Sequence, residues 1–323
     1  MAELSRRSRL ARDLVAEFNK NEFLKSRFGA ENKVESDIEK PYKYPEHLST
    51  RLIHMNSGGE NNPGFTMELL TWNEQPKLTD GDDVLKFGNS EKAVLHIHGG
   101  GFIAPFRKQY KTMAGLYSEL GKGAAVLSVD YRVAPEHKFP AAIDDCYAAY
   151  EWLLEQGYLE ENIIFAGDSA GGGLCLSLCH KLRSMWRRMP AGLVLMSPWA
   201  DLTTSGPSYK ENFEIDPVFG NDRAEMIFSN PYPGDADPAD PLISPMFGDY
   251  TGFPPMLIQS GSDEMLLSDS QSVAAKAKSA GVPVRLSIYE NMFHVFQMTA
   301  LLIPESERAW AEVGRFFHEI DFA

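Results

Sequence analysis

In Gly167-Asp168-Ser169-Ala170-Gly171-Gly172 a serine stands among small residues, directly after the apolar run Ile163-Ile164-Phe165-Ala166 and ahead of a helix-like run over 173–187. A strand, the pattern G-x-S-x-G and a helix, in that order, form a turn so sharp that only small neighbours at 167 and 171 avoid a clash. The turn lifts the serine hydroxyl out of the sheet, and the helix N-terminus behind it favours developing negative charge. A hydroxyl is a poor nucleophile at neutral pH. Ser169 therefore requires a base, and the base requires an orienting acid.

Along such a chain the nucleophile comes first, then the acid, then the histidine. The histidines after Ser169 are His180, His294 and His318. His180 falls about three turns into the helix that starts at the elbow, and His318 lies in a terminal helical pattern. His294, in Glu290-Asn291-Met292-Phe293-His294-Val295-Phe296, follows the last strand and is the candidate base. The acid must follow the apolar strand at 256–259, where Ser260-Gly261-Ser262-Asp263-Glu264-Met265 offers two adjacent carboxylates. Neighbouring side chains point in different directions, so only one of Asp263 and Glu264 can hold the imidazole, and local chemistry leaves both open. Asp269 comes slightly later, where it opens the next helix.

Upstream, His98-Gly99-Gly100-Gly101 closes another apolar strand. Three glycines permit backbone angles that turn N–H groups toward an oxyanion, and the N–H of Ala170, the residue after the nucleophile, completes such a hole. No G-K-[ST] follows, which sets a phosphate cradle aside. His98 reads as a structural hydrogen-bonding residue, and Asp168 as a brace beside the nucleophile.

The elements that must position these residues alternate. Strands are expected at 51–55, 66–72, 93–97, 124–129, 163–166, 193–196, 256–259 and 284–289, and helices at 109–120, 140–156, 173–187, 268–280 and 304–319. Continuous apolar strands alternating with helices mark a mostly parallel sheet covered on both faces, an α/β architecture. The alternation stops at Ser197, and 199–255 is rich in Pro, Gly and Asp with one helical candidate at 221–229. An interruption of that length reads as a cap inserted over the C-terminal ends of the strands, the edge where open α/β sheets bind ligands. Residues 3–28 read as an amphipathic helix with Leu4, Ala11, Leu14, Val15 and Phe18 on one face, continued by Phe23, Leu24 and Phe28. Such a helix is either core cover or a lid, and sequence does not separate the two. The expected division is 1–50, the N-terminal part of a cap; 51–198 and 251–323, the two parts of the core; and 199–250, the cap insertion.

With 323 residues, 43% of them hydrophobic, the chain can bury a substantial core. Its 31 basic and 45 acidic residues leave a net charge of −14, which disfavours nucleic-acid backbones and anionic membranes. Cys146, Cys175 and Cys179 are too few for a disulfide framework, and no Cys/His pairs stand at zinc spacing, so no metal is expected. The N-terminal arginines are not followed by an apolar signal segment, and no window approaches the ~18 uninterrupted apolar residues of a membrane span. A cytoplasmic location is the resulting expectation.

With these pieces assembled, the chain resembles the hormone-sensitive-lipase family of α/β-hydrolases, family IV of the bacterial lipolytic enzymes. The residues that carry the resemblance are His98-Gly99-Gly100-Gly101-Phe102, the stretch from Tyr131-Arg132-Val133-Ala134-Pro135-Glu136 to Asp144-Asp145, the elbow at 167–172, and the acid and histidine loops. The resemblance implies the α/β-hydrolase fold: an eight-stranded, mostly parallel sheet with helices on both faces and a helical cap. It implies hydrolysis of short- to medium-chain esters without cofactor or metal, acting on a small-molecule ester, with a homodimer compatible. Ser169 matches the nucleophile, His294 the base, and Gly100, Gly101 and Ala170 the oxyanion donors. The family's usual Asp-Pro-Leu acid motif is absent after the strand at 256–259. Counting from Pro254-Pro255 aligns the family's acid with Glu264 rather than Asp263. Other acyl hydrolases, such as a sugar-acetate esterase, an amidase or a formamidase, would carry the same machinery. A non-catalytic receptor on this fold would lack the histidine that stands here at 294. In the 131–145 stretch, Arg132, Glu136 and Asp144 or Asp145 are expected to pair and brace the loop.

Overall fold

Eight strands form one sheet in the order β1-β2-β4-β3-β5-β6-β7-β8. A computed structural model describes residues 4–20, 35–56, 64–73, 90–220 and 224–323. The strands are β1 (Leu48–Met55), β2 (Phe65–Trp72), β3 (Ala93–Ile97), β4 (Ala125–Asp130), β5 (Ile163–Asp168), β6 (Gly192–Met196), β7 (Met256–Gly261) and β8 (Val284–Tyr289). β2 pairs antiparallel with β1 and β4, and every pairing from β4 to β8 is parallel. The parallel strands therefore all end at one edge, and the loops after Ile97, Asp168, Met196, Gly261 and Tyr289 open there together.

β3, β5 and β6 are buried on both faces, as a sheet sandwiched between helices requires. Successive side chains alternate between two cores: Leu95 and Ile97 face one, Val94 the other. The first core is filled by α3 (Ala141–Glu155), α4 (Ser169–Ser184) and α7 (Leu267–Ser279). The second is filled by α2 (Lys108–Leu120) and α8 (Pro304–Glu319). Cys146, Cys175 and Cys179 are buried thiols within the first core.

The eight-stranded, mostly parallel α/β sheet expected from the sequence is the sheet observed. α4 differs from expectation at its start, beginning at Ser169 and not at 173. Glycine costs about 1 kcal/mol per helical position, so a run of three reads as a break. Here the run is required, because a Cβ at Gly171 would lie 2.0 Å from the Ile97 carbonyl oxygen and one at Gly173 2.1 Å from that of Trp199. Close backbone packing outweighs propensity at these positions.

Helix α1 is described over Arg6–Lys20, and the rest of the expected helix beyond Lys20, with Phe23, Leu24 and Phe28, lies outside the described residues. Leu4, Ala11 and Val15 pack on a cluster containing Met292, Phe293, Phe296 and Ile303, whereas Leu14 points outward with 57% exposure. α1 thus covers the segment that carries His294. The 199–250 segment includes the one-turn helices α5 (Ser208–Glu211) and α6 (Glu225–Phe228). Among the described residues no helix is long and apolar enough to cross a membrane.

Candidate active site

β5 ends at Asp168 and α4 starts at the next residue, so Ser169 takes the corner with φ +51°, a left-handed conformation that costs a non-glycine residue energy. The corner is held from both sides. Ser169 accepts the Trp199 N–H through its carbonyl at 2.9 Å, and a Cβ on Gly167 would lie 2.6 Å from the Gly171 carbonyl oxygen. Ser169 is 4% exposed. The N–H of Ala170 belongs to the first helical turn, whose amides have no intrahelical acceptor.

Beside the elbow runs the loop after β3, with positive φ at Gly100 (+113°), Gly101 (+64°) and Phe102 (+62°). Among the described residues neither Gly100 nor Gly101 commits its N–H to a backbone carbonyl. Asp168 braces the loop by accepting the Gly99 N–H at 3.1 Å. Burial raises this carboxyl, nearby His294 lowers it, and the balance stands at about 7. His98 is fully buried, with Nδ1 2.6 Å from the Gly99 carbonyl and its ring stacked on Tyr131 at 4.3 Å. Burial pushes its pKa down to about 4, so it is a neutral structural group at pH 7. Tyr131 donates to the His98 carbonyl at 2.9 Å.

The histidine and acid loops meet. His294 Nδ1 lies 3.0 Å from Glu264 Oε2, with the carboxylate fully buried and the imidazole nearly so. The other ring nitrogen, Nε2, is buried with no hydrogen-bond partner among the described residues. Glu264 Oε1 accepts from Ser197 Oγ at 2.7 Å, from Ser260 Oγ at 3.0 Å and from the Gly261 N–H. Asp263 turns away and pairs with Arg12 of α1 at 2.6 Å. Val295, a β-branched residue at φ +51°, is fixed by its N–H donating to Ser197 Oγ at 3.1 Å. Ser197 thereby ties both loops together.

His180 is buried away from this edge, 3.1 Å from the Pro245 carbonyl through Nε2, and His318 is exposed. Arg132 forks onto Asp145, with Nε–Oδ2 at 2.9 Å and Nη2–Oδ1 at 2.6 Å, while Asp144 takes Lys181 at 2.7 Å. Of the brace expected among Arg132, Glu136 and Asp144 or Asp145, the Arg132–Asp145 pair is present. Asp269 stands in the first turn of α7, but its carboxylate accepts the N–H groups of Ala200 and Asp201 at 2.8 and 2.9 Å.

Several residues at the site carry no sequence signal of their own. Ser197 is detectable only as the polar residue where strand–helix alternation stops. Asn212 donates to the carbonyls of Ser262 and Glu264 at 3.0 and 2.7 Å, and Asp216 accepts the Met265 N–H at 2.7 Å. Phe219 packs on the His294 ring at 4.6 Å. An open groove of about 550 Å³ lies between Tyr209, Phe213, Ile215 and Phe228, and none of Ser169, Glu264 and His294 lines it.

Residues 94–298 match the family described as the α/β hydrolase fold. An esterase of Acinetobacter venetianus is 36% identical over 243 residues, 75% of this chain and 79% of that protein. An acetyl-hydrolase of Streptomyces hygroscopicus is 38% identical over 226 residues, 70% of this chain and 75% of that one. Among solved structures, an esterase/lipase from an uncultured bacterium superposes with a TM-score of 0.78 at 32% identity, covering 99% of this chain and 100% of that one. An esterase of the bacterial hormone-sensitive lipase family gives 0.77 at 30% identity, with 99% of each chain covered. Sheet order, elbow and family match agree: the chain belongs to the α/β-hydrolases, in the hormone-sensitive-lipase family.

Proposed function

We propose that this α/β-hydrolase cleaves short- to medium-chain carboxylic esters through Ser169, His294 and Glu264. In support, the relative in Acinetobacter is named an esterase and one in Mycobacterium tuberculosis a carboxylesterase/phospholipase. The single observation that carries the triad is the His294–Glu264 pair, with Nδ1 occupied and Nε2 buried and free. An imidazole held at one nitrogen and unpartnered at the other is in the tautomer a general base needs.

As Ser169 Oγ attacks the ester carbonyl carbon, its proton passes to His294 Nε2, and the carbonyl electron pair moves onto oxygen. The N–H groups of Gly100, Gly101 and Ala170 receive that oxyanion, each donor contributing about 10²–10³ in rate. Collapse breaks the ester C–O bond, and the alcohol leaves with the proton from Nε2. Water then adds to the acyl-enzyme, giving one proton to Nε2. The carboxylic acid departs, and Ser169 recovers its proton. Glu264 keeps Nδ1–H in place and stabilises the imidazolium in both halves. The reaction calls for no cofactor, and helix α1 with the described part of the 199–250 segment forms the cap over it.

The test is a chain-length series of 4-nitrophenyl esters, run with a serine-directed phosphonate. Burst kinetics and labelling at Ser169 are expected, and the chain-length optimum sizes the acyl site. Hydrolysis that persists after complete labelling, or a label on another serine, would remove the assignment.

A further inference from the structure

The glycines that free the oxyanion loop also create a problem, because a hole that must be rebuilt at each turnover loses its advantage. Upstream, the loop is pinned by Asp168 at the Gly99 N–H. Downstream, it is pinned from the 199–250 segment. Asn230 Nδ2 donates to the Gly101 carbonyl at 2.9 Å, and to the Met226 carbonyl at 3.3 Å. The Asn230 Oδ1 accepts the Tyr232 N–H at 2.9 Å, so the amide is held in one orientation by its own turn. Tyr232 then stacks on Phe102 at 4.2 Å with the rings 7° from parallel. Met226 closes the remaining side, since a Cβ at Gly101 would lie 2.6 Å from its sulfur. The Gly101 N–H shares a rigid peptide plane with the Gly100 carbonyl, which accepts the Ala104 N–H at 2.9 Å. Asn230 holds the following plane through the Gly101 carbonyl, so both soft torsions of Gly101 are set only when the two anchors act together.

Given the hydrolase reading above, on which this rests, we propose that Asn230 is a positioning residue for the oxyanion hole. Its side-chain amide holds Gly101 so that the N–H groups of Gly100 and Gly101 face the reacting carbonyl before substrate arrives. Docking of the 199–250 segment and assembly of the hole are then one event.

Two variants separate this role from simple packing. Asn230→Asp keeps size and the acceptor for Tyr232 N–H but sets an oxygen against the Gly101 and Met226 carbonyls; Asn230→Ala removes all three contacts. With 4-nitrophenyl acetate, kcat is expected to fall about 10- to 100-fold in both, with KM within about twofold. Affinity for a trifluoromethyl ketone, whose adduct on Ser169 carries the oxyanion, is expected to fall by the same factor as kcat/KM. Should the Ala variant fail to fold, the isosteric Asp variant carries the test. A native-like melting curve with kcat within twofold of wild type, or a loss confined to KM, would overturn the inference. Wild-type protein that turned over no ester and took no phosphonate would remove the hydrolase reading, and this one with it. An active, labelled wild type with unimpaired variants would remove this one alone.

Discussion

The loops at the end of the parallel strands and the 199–250 segment make opposite contributions to the same place. The loops carry every group to which we assign bond-making chemistry: Ser169, His294, Glu264 and the amides of Gly100, Gly101 and Ala170. The segment carries none of these, yet it grips each loop. Asn212 and Asp216 hold the acid loop, Trp199 the elbow, Phe219 the imidazole and Asn230 the oxyanion loop. Helix α1 joins in through Arg12, which reaches Asp263 at 2.6 Å and the carbonyls of Asn291 and Ile215 at 2.8 and 3.0 Å. Precision at the strand ends is thus completed from outside the sheet, beyond what Asp168, Ser260 and Gly261 supply from the strands themselves. Supporting contacts of this kind turn a group that is merely present into one placed within a fraction of an ångström.

That contrast breaks first at the groups assigned to chemistry. Ser169→Ala and His294→Ala should each lower kcat about 10⁴-fold or more with folding unchanged, measured by ester hydrolysis beside thermal melting. Retention of most activity in either would empty the strand-end loops of their assigned role. Next comes the acid. Glu264→Gln should cost about 10²- to 10⁴-fold in kcat, since the imidazole loses its orienting carboxylate. Asp263→Asn should cost no more than about threefold, because that side chain serves Arg12. The reverse order would transfer the role to Asp263.

The weld between core and segment has a pH signature. His180 of α4 meets the Pro245 carbonyl, Tyr250 and Phe253, and burial pushes its pKa down to about 4 from an ordinary 6.5. Between those values the unfolded chain binds a proton that the native state refuses, so this group's contribution to stability is lost as pH falls from 6.5 toward 4. His180→Asn should therefore narrow its stability gap to wild type on acidification, by on the order of 2 kcal/mol across that window, in urea titrations at several pH values. A gap independent of pH would mean that the imidazole is not held neutral. The smallest effect is expected at α1. A double-mutant cycle on Arg12→Ala and Asp263→Asn should show a coupling of about 0.5–1 kcal/mol, as for other partly exposed ion pairs. The Arg12→Ala variant should lose less than tenfold in kcat. A loss as large as that at Glu264 would make α1 part of the machinery and not its support.

Much of this was legible along the chain. Apolar strands announced themselves because both faces of a parallel sheet are buried, and the elbow because its steric demand falls on residues adjacent in sequence. The start of α4 escapes the sequence for the same local reason: a glycine run looks like a break unless the backbones it must accommodate are known. Leu14 falls on the apolar face of α1 by spacing yet points outward, because periodicity defines a stripe but not its width.

Sequence alone determined the sheet, the elbow at Ser169, the glycine loop and the short list Asp263, Glu264 and His294, all of them properties of contiguous residues. Local chemistry leaves Asp263 and Glu264 open and the family resemblance points to Glu264; the tertiary structure shows that Glu264 meets the imidazole while Asp263 meets Arg12. It also decided that Ser197 joins the acid and histidine loops, and that Asn212, Asp216 and Asn230 reach back to the strand ends. Those contacts span from about fifty to well over a hundred residues of chain. A side chain's partner at such a distance is chosen by the direction in which the fold turns it, and no local pattern records that direction.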